Sequence, residues 1–336
     1  MKTSDIQLAE MLEELNSRSK IRIVLEAGLY ALILFLLVVG NSATLVVVAL
    51  NSRMRTIPNL FVASLAISDL LLGILATVPI GFPTLVLSKY PFSDTTCQYH
   101  GYTVIVLALT SMQTLALMAV NRYYRVVRSE KYRRYFTKKK TVIMIGLSWF
   151  YSVWAPLPYI LSGHKMVFHP FKFFCYLQID SGPFTAFMVT VYVGPPTLVI
   201  MYCYLKIFQT VRSHNNNVHS TVFGGNQLNV EEIKTARLLF IIVVFFNLCW
   251  IPVMLIDIVD TIDGKWTFPR ETYVAYSFLA TVSSALNPII YGLLNNNFRR
   301  EYLQLFRCRH CRRQSTVEPS VLMERRKKIK PTSATC

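Results

Sequence analysis

Residues 239–255 read LFIIVVFFNLCWIPVML, eight apolar side chains in a row before the first polar one. A helix on the surface of a water-soluble protein shows a polar face with a period of about 3.6 residues. This stretch has no such face, and neither has ALILFLLVVG at 31–40. Apolar runs of this kind recur at 27–50, 59–83, 98–121, 141–162, 184–208, 237–259 and 272–294. Each is long enough to cross ~30 Å of hydrocarbon at about 1.5 Å per helical residue. Hydrocarbon offers no hydrogen bonds, so the backbone must satisfy itself. The expected fold is an all-α membrane protein, a bundle of seven transmembrane helices.

Of the 336 residues, 53% are hydrophobic and 16% charged, against about 25% charged in a soluble domain. Mean hydropathy is +0.40. The net charge of +17 would point to nucleic acid in a soluble chain, but its placement argues otherwise. With the N-terminus outside, twenty-six of the 35 lysines and arginines fall in or beside the inner segments 51–58, 122–140, 209–236 and 295–336. Positive charge collects on the cytoplasmic side of membrane proteins. The expectation is a plasma-membrane protein with its N-terminus outside and its C-terminus in the cytoplasm. Its basic face would meet anionic lipid and a protein partner, with no role for nucleic acid. The expected division is 1–26 as an extracellular segment, 27–294 as the bundle, 295–308 as an amphipathic helix and 309–336 as a cytoplasmic tail. Residues 1–26 show no short apolar core with a small-residue cleavage site, so no removable signal peptide is expected.

Polar side chains inside such spans are expensive and mark function. Asp69 is an acid deep in a span, in SLAISDLLLG at 64–73. Antiparallel neighbours bring Asn41, Ser111, Ser283, Ser284 and Asn287 to its depth. Oxygens around one carboxylate suit a small cation such as sodium, or water. They equally suit a hydrogen-bonded packing network with no ion, and a protonated carboxyl is a third alternative. Arg122, in MAVNRYYRVV at 118–127, lies about 37 Å beyond Cys97 along a straight helix, a full membrane crossing. It either snorkels to the headgroups or pairs with Glu232, just before the sixth span, as a latch between the third and sixth helices. In the sixth span Phe246 and Trp250 share a face and Asp257 lies two turns beyond. Pro252 removes a backbone hydrogen bond and kinks the helix, so a small outer push becomes a larger inner displacement.

Cys97 tops the third span, and Cys175 sits in the outer loop KFFCYLQID at 172–180. The exterior is oxidising, so a disulfide between them is expected. Cys203 and Cys249 read as apolar packing residues. Cys308 and Cys311 lie among arginines just past the last span, a setting for palmitoylation. Their spacing lacks the partner ligands of a metal site, and no metal is expected there.

Together, Gly40-Asn41, SLAxSDL at 64–70, Cys97, Asn121-Arg122-Tyr123, Trp149, Pro196 with Tyr204, CWIP at 249–252 and NPIIY at 287–291 followed by Phe298-Arg299 resemble the rhodopsin-like (class A) G-protein-coupled receptors. The likeness runs over nearly all of residues 25–310. It implies a receptor that binds an extracellular ligand and activates heterotrimeric G proteins, with arrestin and a receptor kinase as further partners and no enzymatic activity. It implies that Pro288 distorts the seventh helix so that Asn287 reaches Asp69. It also implies that Arg122, Tyr204 and Tyr291 gather around the G protein in the active state. Asn121 replaces the usual acid, which removes one restraint on Arg122. Val104 stands where amine receptors carry an aspartate, and Thr281 where opsins carry the retinal-binding lysine. Neither an ordinary amine receptor nor a photoreceptor is expected, and no cofactor beyond an allosteric sodium ion. Within the class, NRY, NLCW and the run from Phe174 to Val211 look most like melatonin receptors. Yet Tyr159 and Tyr192 stand where that group has an asparagine and a histidine, and Leu177 where it has an aromatic. The likeness lies in the framework rather than the pocket.

The expected pocket is lined by Val104, Ala108, Leu177, Met188, Tyr192, Trp250, Met254, Asp257 and Ser277. It is mostly apolar and aromatic, suited to a small hydrophobic ligand or a short peptide tip. Asp257, with Asp260, Asp263 and Glu271, reads either as a solvated rim or as a counter-charge for a cationic ligand group. The alternative to a receptor is a transporter or channel, which would show repeat symmetry and several mid-span charges. The sequence shows one such charge and no visible repeat.

Overall fold

Among the described residues, seven helices long and apolar enough to cross a membrane form a bundle, at Lys20–Leu50, Ile57–Leu87, Asp94–Val126, Lys138–Leu161, Gly182–Ser213, Thr235–Asp263 and Arg270–Leu294. The computed structural model describes residues 3–179, 182–218 and 230–306. In chain order the elements begin with α1 (Thr3–Asn16), α2 (Lys20–Leu50) and α3 (Ile57–Leu72). The last runs through wide π turns at Gly73–Gly81 into α4 (Phe82–Leu87). Then come α5 (Asp94–Val126), α6 (Ser129–Tyr135), α7 (Lys138–Trp154) and α8 (Leu157–Leu161). A two-stranded antiparallel hairpin follows, β1 (Val167–His169) with β2 (Phe174–Tyr176). The chain continues with α9 (Gly182–Met188), π turns at Val189–Val193, α10 (Gly194–Val218), α11 (Val230–Asp263), α12 (Arg270–Leu294) and α13 (Asn296–Phe306).

Local chemistry sets these boundaries. The hydroxyls of Ser19, Ser93 and Thr137 accept from the N–H groups of Arg22, Thr96 and Lys140, capping α2, α5 and α7. Pro79 has no N–H to return to the previous turn, and the helix around it opens into π turns. Packing is the reverse of a soluble protein. Leu147, Leu198 and Leu248 are at least 60% exposed on the outside, while Asp69 and Arg122 are 1% and 2% exposed inside.

At Gly40 the helices α2 and α12 meet closely. A Cβ there would lie 2.8 Å from Cβ of Pro288, so only glycine lets α2 approach α12 at that level. The next residue uses the approach. Pro288 cannot donate to the carbonyl of Ser284, four residues back, and Asn41 Nδ2 donates to that carbonyl instead, at 3.1 Å.

The first span starts at Lys20, not at residue 27. Arg22 and Glu26 look like exterior residues by sequence, but in the fold their charges are paired. Glu26 accepts from Arg18 at 2.7 Å and from Arg270 at 2.8 Å, and Arg22 meets Glu271 at 2.6 Å. Described residues before Lys20 are built in as well. Leu15 is fully buried, and Gln7 exchanges two hydrogen bonds with the backbone of Trp266. Thus α1 lies across the end of the bundle that also carries the hairpin, termed here the N-terminal face. At the opposite, C-terminal face, α13 turns away from α12. Phe298 stacks on Tyr291 at 5.2 Å and Tyr302 hydrogen-bonds Thr44 at 2.7 Å, while Leu305 is exposed. Cys308, Cys311 and the expected tail lie outside the described residues.

Candidate functional site

The hairpin builds the site at the N-terminal face. Cys175 on β2 is disulfide-bonded to Cys97 at the start of α5, which fixes the hairpin over the bundle. Its turn, residues 170–173, dips inward and carries Lys172, whose side chain is 0% exposed. Lys172 Nζ donates to Asp257 Oδ1 at 2.9 Å. The other carboxylate oxygen accepts from Tyr276 at 2.8 Å and from Tyr176 at 3.1 Å. Burial and the neighbouring carboxylate hold the Tyr176 phenol well above its usual range, so it stays a donor. Beside it, burial and then the charge of Lys172 hold the imidazole of His169 well below its usual value.

Below the turn lies a cavity of about 110 Å³. Val104, Ala108, Leu177, Met188, Trp250, Met254, Asp257 and Ser277 all line it. Tyr192 instead stacks on Tyr151 at 4.4 Å and packs on Phe187, with its carbonyl accepting from Gln113. The rim reading is corrected at two positions. Asp257 and Asp260 are buried, because phenol donors and, for Asp260, the Thr267 N–H satisfy them. Asp263 and Glu271 are exposed. Sequence reasoning missed Lys172, Tyr176, Tyr276 and His100. His100 lines the cavity almost fully buried, and its Nδ1 has no partner among the described residues. The available signal was FKFFCY, one lysine among aromatics beside the cysteine that ties the loop down.

From the cavity floor a polar column descends. Phe246 and Trp250 stack at 5.8 Å, and Trp250 Nε1 donates to Ser283 Oγ at 3.1 Å. Ser284, Ser111 and Asn287 donate to the Asp69 carboxylate at 2.8, 3.0 and 2.8 Å. Ser68, not foreseen, hydrogen-bonds Ser111 at 2.9 Å. Asn41 and Ser283, expected on the carboxylate, are placed one step away. Adjacent helical residues point about 100° apart, so Ser284 faces Asp69 and Ser283 faces Trp250. Asn41 is engaged by the carbonyls of Leu37 and Ser284.

At the C-terminal face Tyr204 and Tyr291 belong to one apolar core, and Arg122 is buried as well. The hydroxyls of Tyr204 and Tyr291 have no hydrogen-bond partner among the described residues. Asn121 donates to the Tyr132 hydroxyl at 3.3 Å, and the Tyr123 ring packs on Tyr124 and Tyr202. Glu232 lies on α11, but its side chain is outside the described set, and so is the expected latch to Arg122. Between α10 and α11 an apolar cavity of about 950 Å³ runs from Met254 down to Val211 and Ala236.

Comparison with known proteins agrees with this arrangement. A family model described as 7 transmembrane receptor (rhodopsin family) matches residues 40–291. Melatonin receptor type 1B-B of Danio rerio is 29% identical over 301 residues, covering 88% of this chain and 86% of that protein. Melatonin receptor type 1A of Gallus gallus is 29% identical over 284 residues, 82% of this chain and 79% of its own length. The Ovis aries type 1A receptor is 29% identical over 288 residues, 84% and 78%.

Proposed function

Because the chain belongs to the rhodopsin family of seven-transmembrane receptors, we propose that a ligand read at the N-terminal face sets the position of α11 and that the C-terminal face presents that position to a G protein. The chain is a G-protein-coupled receptor near the melatonin receptors, and a receptor rather than an enzyme. The family leaves the transporter reading without support. The basic residues collected at the C-terminal face favour a cytoplasmic position for it in the plasma membrane, with the N-terminal face outside.

The observation that carries this reading is the polar column. It leads from Trp250 at the cavity floor through adjacent serines to Asp69 and Asn287, one turn from Tyr291. Arg122, Tyr204 and Tyr291 are the residues proposed to meet the G protein. Melatonin itself is not carried over from the relatives. Tyr159 is buried and spends its hydroxyl on the Lys165 carbonyl and the Gln178 N–H, and Tyr192 faces Tyr151. A sodium ion at Asp69 is proposed on donor chemistry. The carboxylate and the hydroxyls of Ser111 and Ser284 are hard oxygen donors, and an ion would have to replace their mutual hydrogen bonds. Arrestin, a receptor kinase and palmitate at Cys308 and Cys311 rest on the family alone.

The test uses the full-length receptor in lipid nanodiscs with purified G-protein heterotrimers and a compound panel. Receptor-dependent nucleotide exchange is expected, with sodium lowering agonist affinity in the wild type and not in Asp69→Asn. Folded receptor that stimulates no heterotrimer with any compound overturns the coupling, and sodium sensitivity kept in Asp69→Asn removes the ion.

A further inference from the structure

Lysine is almost never fully buried without a partner, and this one is buried inside the ligand cavity of the receptor itself. Its seat has the parts of an ammonium receptor. Asp257 supplies the counter-charge, and the rings of Tyr276, Tyr176, Trp266 and Tyr273 surround Nζ at 4.1, 5.0, 5.4 and 5.5 Å from their centroids. Aromatic faces attract an ammonium most strongly where water is excluded. The carboxylate comes from the sixth span, so the site is distinct from an aspartate on the third, where Val104 stands.

The turn is held in this seat from several sides. Ser277 Oγ on α12 donates to the Lys172 carbonyl at 2.5 Å. The next residue, Phe173, takes a left-handed backbone at φ 59°, which costs a bulky side chain energy and persists only where the surroundings enforce it. From above, Arg18 lies over the Phe173 ring at 5.4 Å, and Leu15 of α1 packs in the same apolar cluster. With the turn in place the remaining cavity of about 110 Å³ is far below the ~300–1,000 Å³ of an ordinary ligand pocket.

We propose that the hairpin turn is a built-in ligand: Lys172 fills an alkylammonium site formed by Asp257 and its aromatic cage, and ties the C-terminal end of α11, at the N-terminal face, to α12 so that the receptor signals without a diffusible compound. The contact joins α11 to Tyr276 and Ser277 of α12, beyond the Pro252 hinge. On its other side α11 is separated from α10 by the apolar cavity of about 950 Å³, so the helix leans toward α12. A free alkylammonium takes the site only when Lys172 is withdrawn from it.

This rests on the coupling proposed above, so the test has one arm that does not need coupling. Full-length wild type, Lys172→Ala, the bulk-preserving Lys172→Met and Lys172→Ala/Asp257→Asn are compared in nanodiscs, with n-butylammonium as the probe and n-butanol as its neutral control. In the binding arm, millimolar n-butylammonium raises the thermal midpoint of Lys172→Ala and leaves the wild type and the double variant unmoved. In the signalling arm, ligand-free nucleotide exchange falls at least threefold in Lys172→Ala and Lys172→Met. n-Butylammonium restores it in Lys172→Ala alone. A probe effect that survives in the double variant, or is matched by n-butanol, overturns the site. Undiminished exchange in both single variants overturns the built-in ligand while leaving the site in place. If the wild type drives no exchange, with or without a panel compound, but the binding arm succeeds, the coupling fails and the alkylammonium site stands.

Discussion

At the scale of single residues, the buried side chains of the N-terminal face are set by what each neighbour can donate or accept. His169 is the sharpest case. Its Nδ1 accepts from the Lys172 N–H at 3.3 Å, and its ring lies 4.4 Å from Trp266 and 4.6 Å from Tyr273. Burial and the nearby ammonium keep it neutral in the fold, whereas in the unfolded chain it titrates near about 6.5. The folded-state value is thus the lower one. Above about 6.5 neither state binds the proton and stability is full. As pH falls below that value the unfolded chain takes the proton and the fold does not, so stability drops. At pH ~5.5 the loss from this group is about 1.4 kcal/mol. Thermal midpoints of wild type and His169→Phe, measured from pH 7.5 to 5.5, should converge as the pH is lowered. Parallel curves would show that the imidazole takes up its proton in the fold at the same pH as in the unfolded chain.

At the scale of elements, lipid made the helices legible and side-chain pairing hid their ends. A run such as LFIIVVFF has one stable form in hydrocarbon, so the seven spans follow from composition and length. The extra two turns of α2 do not, because the pairing of Arg22 and Glu26 draws on Arg270 and Glu271 on a helix far along the chain. In α1 the apolar positions Leu8, Met11 and Leu15 form a stripe that a sequence reader can see, but its partners Trp266 and Phe173 belong to loops. The contact between α2 and α12 was half legible. Gly40-Asn41 and Pro288 were both marked, and the fold shows that the glycine admits the proline and the amide replaces its missing hydrogen bond. Gly40→Ala should therefore cost about 1–3 kcal/mol, because the added methyl meets a rigid ring at 2.8 Å and pushes the helices apart. The loss should appear as a lower thermal midpoint in the purified receptor. An unchanged midpoint would mean that α2 and α12 can separate at no cost.

At the scale of the whole molecule, the two ends of the bundle were legible to different degrees. The polar column and the tyrosines of the C-terminal face sit on helices whose phase follows from spacing, so Asp69, Ser111, Ser284 and Asn287 could be brought together on paper. The N-terminal site depends on a loop lysine and a carboxylate 85 residues apart, and no helical period relates them. Between the two ends runs α11, hinged at Pro252 where the Leu248 carbonyl loses its helical donor. The arm from Pro252 to Asp263 is about 17 Å and the arm to Thr235 about 26 Å, so a shift at Asp257 is enlarged at the C-terminal face. Two buried phenols there, Tyr204 and Tyr291, lack partners among the described residues, an arrangement that costs about 1–3 kcal/mol each and that a rearranged α11 or an inserted helix can relieve. Spin labels on exposed positions at the ends of α5 and α11, Arg128→Cys and Arg237→Cys, test the lever directly. The background keeps the Cys97–Cys175 disulfide and replaces Cys203, Cys249 and the tail cysteines. The label separation should lengthen by several ångströms when a nucleotide-free G protein binds. Adding Lys172→Ala should enrich the shorter separation before the G protein is added, because the arm from Pro252 to Asp263 is then untied. A single separation, the same with and without Lys172 and with and without G protein, would mean that α11 is a fixed strut, and that neither the hinge nor the lysine moves it.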